Sequence, residues 1–232
     1  MITKEQIIQN LTHRYQNDDM ESWIDQQQFQ MLFQKAVKDY YPKLKKQCAD
    51  QSIYGISFEI GGVIQKVYLD PFETYIYFNT EEQYQEQIED CEEDEREYYR
   101  FEAWAEWDVT TAESALFEEI QNYLSQNSLY FCSDSSRYND LEEEAVEWYQ
   151  ENEDEFEERF DKECSQIRMW MAEVLSALRK EGFWEEQGNT DLYVLPFGGE
   201  CDIDTEELIE TYRLMDVECH QTEYIDYLKS FE

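Results

Sequence analysis

Apolar positions set the first signal along the chain. Phe29, Leu32, Phe33, Ala36, Val37, Tyr40 and Leu44 recur three and four residues apart, so residues 1–50 read as helical with one buried stripe. Pro42 is expected to end or bend that helix near Tyr41. The period then changes to two. Ile53–Ile60 and Val63–Leu69 flank Gly61-Gly62, a two-residue hairpin signal, and Tyr75–Phe78 is a third strand candidate. Three consecutive strands predict an antiparallel meander.

Helical and extended signals then alternate. Thr80, with Gln83 three residues on, predicts a capped helix that buries Tyr84, Ile88 and Cys91. Residues 101–107 place Phe101, Ala103, Ala105 and Trp107 on one side of a strand. Thr110 with Glu113 is the expected cap of a helix carrying Ala112, Ala115, Leu116, Ile120 and Leu124. The longest pattern runs from Leu141 to Leu178 on one helical face, with Asn152 its weak step and Gly182 its expected terminator. Leu192–Phe197 reads as a last strand, at an edge or ending at Pro196. Asp204 with Glu207 caps a helix bearing Leu208, Tyr212 and Met215, and Ile225 and Leu228 mark a final one. The expected fold is α+β: an antiparallel sheet of about four to five strands with helices packed on it and a long acidic helix. Residues 1–50 form an N-terminal helical segment and residues 51–232 the α+β domain, as one compact unit.

Composition adds an acidic surface to this picture. The 232 residues carry a formal net charge of −38, yet 41 % are hydrophobic and 16 % aromatic, which is core material rather than a disordered acidic tail. The charge is uneven: residues 1–50 are neutral, while residues 81–160 alone hold 28 acidic and four basic side chains. Such a surface repels nucleic acid and anionic membranes and attracts basic proteins across a Debye length. No apolar run approaches the ~20 residues that span a bilayer, and no signal-peptide core is present. With six scattered cysteines, this points to reduced thiols in the cytoplasm.

Candidate chemistry centres on one ladder of carboxylates. Glu143, Glu147, Glu151, Asp154, Glu158 and Asp161 lie opposite the apolar stripe at three- and four-residue steps, with Glu155 beside them. Each step rises roughly 5–6 Å, close to the ~7 Å between successive phosphates expected from nucleic-acid geometry. Like charges at these spacings repel. Either the row is a solvated face of a very acidic protein, or it is a partner-binding face that fits a groove built for phosphates. A second acidic run, Glu86 to Glu97, lacks the Asp-x-Asp-x-Asp-Gly pattern of a calcium loop. His13 and His220 stand at opposite ends, no Cys-x-x-Cys occurs, and Cys219-His220 are adjacent, so no metal site or Cys–His catalytic pair is indicated. Trp104, Trp107 and Trp184 read as core packing, with a ligand pocket the alternative.

Tyr54–Phe58, Arg100–Trp107, Leu178–Trp184 and Leu192–Val194 resemble, in the same order, segments of the bacterial domain-of-unknown-function family 4303. The resemblance runs from about Asp39 onward. It implies an inhibitor role beside toxins of interbacterial competition, like other acidic immunity proteins, and it carries over no catalytic motif. The expected function is therefore an inhibitory binding protein, of immunity or anti-defence type. It would block a basic, nucleic-acid-directed protein by steric occlusion and phosphate-like carboxylates, with no cofactor, metal, direct nucleic-acid or membrane contact. The alternative is an enzyme or small-ligand domain using the aromatic pocket.

Overall fold

The computed structural model describes residues 2–48, 51–60, 74–89, 91–92, 95–101, 108–111, 114–132, 140–188, 193–197, 205–215 and 220–230. Two helices open the chain. α1 (Lys4–Asn17) starts in a complete capping box between Thr3 and Gln6 and stops at Asp18 in the left-handed region, at φ 51°. α2 (Gln26–Gln47) is capped by Asp25, whose carboxylate accepts from the Gln28 N–H at 2.8 Å. Of the expected end or bend near Tyr41, the end does not occur, and α2 runs through Pro42. Tyr41 and Leu44 are both buried, Tyr41 edge-on to Trp184 at 4.9 Å, and that packing carries the helix past the missing N–H.

β1 (Ile53–Ile60) and β2 (Thr74–Thr80) pair antiparallel, with a register shift between Ile53 and Gly55. β3 (Asp108–Thr111) adds to β2 antiparallel, and β4 (Tyr193–Phe197) joins the other edge of β1 in parallel, giving the order β3–β2–β1–β4. The expected α+β architecture, an antiparallel sheet of four to five strands, is overturned. The chain is mostly helical, and the sheet is small and of mixed direction. The expected meander also fails. β1 takes β2 on one edge and β4 on the other, and β4 follows a long helix that returns it parallel to β1. The expected turn at Gly61-Gly62 and strand 63–69 lie outside the described residues, as does most of the strand expected over 101–107. Phe101 itself ends a short helix, α4 (Arg96–Phe101).

Thr80 caps α3 (Glu81–Gln87) as expected, accepting from the Gln83 N–H at 3.2 Å. Thr110 does not cap a helix. It lies in β3 opposite Ile76, and Ser114 caps α5 (Ala115–Asn127) instead. A 3-10 turn follows at Tyr130–Cys132. The long acidic pattern divides into α6 (Glu143–Glu151) and α7 (Glu153–Lys180). Asn152 leaves helical geometry at φ −112°, ψ 13°, and its side chain donates to the Trp148 carbonyl at 2.7 Å. Gly182, at φ 78°, ends α7 and leads into α8 (Phe183–Glu186). α9 (Thr205–Leu214) and α10 (His220–Lys229) complete the described chain.

One apolar core joins these elements. Phe58 of β1 meets Phe33 of α2 edge-on at 5.6 Å and stacks on Phe117 of α5 at 6.5 Å. α6 is fastened to α1 by Tyr149, whose hydroxyl donates to the Leu11 carbonyl at 2.9 Å, and by the edge contact of Trp148 with Tyr15. α7 buries Phe156, Ile167, Met171, Leu175 and Leu178, so its other face is left to solvent. That geometry positions the acidic row.

Candidate partner-binding face

All seven carboxylates of the expected face, Glu143, Glu147, Glu151, Asp154, Glu155, Glu158 and Asp161, are exposed. They are not carried on one continuous helix. Glu143, Glu147 and Glu151 lie on α6, the others on α7, and Asn152 sets the angle between the two rows. The rows also differ in charge balance. Glu155 is bound by Arg159 at 2.8 Å and Glu158 by Lys162 at 2.5 Å. Lys162 beside it holds the Glu158 carboxyl below its ordinary range. Among the described residues no ion pair engages Glu143, Glu147, Glu151, Asp154 or Asp161. These five carry the uncompensated charge.

Beside the α7 row lies a groove of about 570 Å³ between that helix and the α1–α2 connection. Asp154, Glu155, Glu158 and Arg159 form one wall and Met20, Glu21 and Ser22 the other. Arg159 bridges the walls, reaching Glu21 at 2.5 Å and the Met20 carbonyl at 3.3 Å as well as Glu155. Ordered salt-bridge networks of this kind fix side chains more than they stabilise the fold.

Glu163 lines the same groove from its floor, only 2 % exposed. Its carboxylate accepts from the Ser128 hydroxyl and from the Leu129 N–H. Burial pushes its carboxyl above the ordinary range, against the pull of the Ser128 and Ser22 hydroxyls, the Leu129 N–H and the Arg14 charge. Arg14 is as deeply buried, and it is fully engaged. Its guanidinium donates to the Glu21 carbonyl at 2.6 Å and the Asn127 carbonyl at 3.4 Å, and lies 3.8 Å over the Trp23 ring. Asp19 stands 3.9 Å away. Burial pushes Asp19 upward, but the Glu21 N–H, the Trp23 indole and Arg14 together hold it below its ordinary range. Sequence reasoning missed this buried cluster. Its one visible signal is that Glu163 stands seven residues after Phe156 and four before Ile167, on the apolar face.

The remaining candidates resolve simply. Trp184 is fully buried against Tyr41 and Phe183, a core position rather than a pocket wall. Trp104 and Trp107 lie outside the described residues, as do Cys201 and Cys219. Among the described residues no disulfide joins Cys48, Cys91, Cys132 or Cys164. His13 packs edge-on to Trp23 at 5.7 Å, and His220 opens α10. Among the described residues no group of three or more His, Cys, Asp or Glu side chains is arranged to hold a metal ion, and no helix is long and apolar enough to cross a membrane.

Comparison of the chain with protein-family models, with curated proteins and with solved structures found no match.

Proposed function

We propose that this chain is an acidic inhibitory binding protein, of immunity or anti-defence type, that acts in the cytoplasm without catalysis. It captures a basic protein whose own target is nucleic acid and covers that protein's phosphate-binding groove. One observation carries the reading: Glu143, Glu147, Glu151, Asp154 and Asp161 stand exposed along the α6–α7 edge, with no ion pair among the described residues. Aligned like charges weaken the free protein, and a cationic groove relieves that repulsion while gaining steered association. The resemblance to domain-of-unknown-function family 4303 supports the immunity reading.

The test begins with capture of the partner from a bacterial lysate at low salt and its identification by mass spectrometry. Association of the purified partner is then followed by stopped flow with wild type and with an amide variant (Glu→Gln, Asp→Asn) at those five positions. The variant is expected to associate about tenfold or more slowly at low salt, with a flatter salt dependence and little change in dissociation. It is also expected to melt about a degree or two higher, as repulsion is relieved. A captured partner of acidic character, or equal on-rates and salt slopes, overturns the proposal.

A further inference from the structure

Among the described residues two arginines are buried, and they are treated very differently. Arg14 places its guanidinium among two carbonyls, a carboxylate and an indole face. Arg168, on α7, is 0 % exposed, and among the described residues its polar contacts run through one nitrogen. Nη2 reaches Glu207 of α9 at 3.2 Å and Ser165 at 3.4 Å. The Nε and Nη1 donors meet no acceptor among the described residues. A guanidinium offers five N–H groups, and leaving them unmet out of water is unfavourable for each. The ion pair with Glu207 returns only part of that, because a buried pair must first be desolvated.

Glu207 places the first turn of α9 beside Arg168. Ile209 and Tyr212 of α9 and the following Met215 are buried, and Thr211 points its hydroxyl toward Met169 of α7 at 3.5 Å. α10 packs on α9, with Tyr224 edge-on to Tyr212 at 4.7 Å. Among the described elements α9 rests on α7 and α10 on α9, beside a cation that would be better solvated without them.

We infer that α9 and α10 form a flap on α7, and that the under-bonded guanidinium of Arg168 primes it to open as a unit. Opening returns the Arg168 donors to water and frees Glu207, which already sits in the first turn of α9, where the helix dipole favours an acid. It also bares a cation on a surface otherwise dominated by carboxylates. The closed form keeps its apolar contacts, so the flap is a minor-state motion and not an unfolded tail.

Native-state hydrogen exchange in low denaturant tests this on the intact chain. Amides of 205–214 and 220–229 are expected to exchange through one opening with a smaller denaturant dependence than amides of 164–175 in α7, which exchange only through global unfolding. Arg168→Met keeps the packing volume and removes the unmet donors, so the flap amides are expected to slow by about tenfold. Glu207→Gln leaves the buried cation without its carboxylate and is expected to speed them by a similar factor. If the flap amides share the denaturant dependence of α7 in wild type, the inference falls, whatever the variants do. It falls equally if Arg168→Met folds and exchanges at the wild-type rate or faster. Should Arg168→Met not fold, the wild-type comparison alone decides.

Discussion

The Leu129 N–H is shared by both carboxylate oxygens of Glu163, at 3.2 Å to each. This bifurcated contact joins the exit of α5 to α7, and the Ser128 hydroxyl reinforces it. Removing the acceptor strands the donors inside the fold. Glu163→Ala is expected to lower stability by about 3 kcal/mol, read from denaturant midpoints at constant slope.

Glu163 also gives stability a pH signature. Its folded carboxyl titrates above the ordinary value of 4.5 because burial disfavours the charge. The ionisation cost is therefore fully present above the folded pKa. It is lost as pH falls through that value toward 4.5, so the group gains stability in this window. Glu163→Gln has no proton to take up. The melting temperature of wild type relative to Glu163→Gln is expected to rise as pH is lowered from neutral to 4.5. Parallel curves would show that the carboxyl titrates like an exposed one.

Burial pushes the Cys132 thiol up to about 12, with Arg14 pulling the other way and Glu163 adding to the rise. Thiolate, the reactive form, is then scarce. Cys132 is expected to resist alkylation in the native protein, while the half-buried Cys48 and Cys91 are labelled before it. Peptide mass spectrometry after timed iodoacetamide exposure reads the order.

Gly182 occupies φ 78° where α7 stops, and a Cβ there would have only the Glu185 carboxylate near it, at 3.9 Å. Space is available, so the cost of a side chain is conformational. Gly182→Ala is expected to lose about 1 kcal/mol, or roughly 2–4 °C in melting temperature for a chain of this size. A larger loss would mean that packing around α8 also depends on the glycine.

Much of the helical layout was legible because it is local. The stripe from Phe29 to Leu44 and that from Phe156 to Leu178 each follow one period, and both faces are buried as read. The exposure of the acidic row follows from the same phase, since whatever lies opposite a buried stripe must face water. What failed depends on distant contacts. Thr110 and Ser114 are both good caps by chemistry, and only the pairing of Thr110 against Ile76 decides between them. Tyr54–Phe58 and Tyr75–Phe78 were correctly extended, yet the period of a strand does not name its neighbours. Glu163 and Arg168 were hidden by composition, because one more charge in a heavily charged chain carries no contrast.

The parallel pairing of β1 with β4 has a consequence in time. Gly55 finds its partner at Tyr193, 138 residues further along. During synthesis at about 5–20 residues per second, that edge of β1 waits roughly 7–30 s for the segment that covers it. The waiting strand carries Ile53, Tyr54, Ile56, Phe58 and Ile60, an apolar template open to any passing chain. Aggregation of this protein is therefore expected to be decided on the ribosome, before β4 has been made, rather than by the stability of the finished fold.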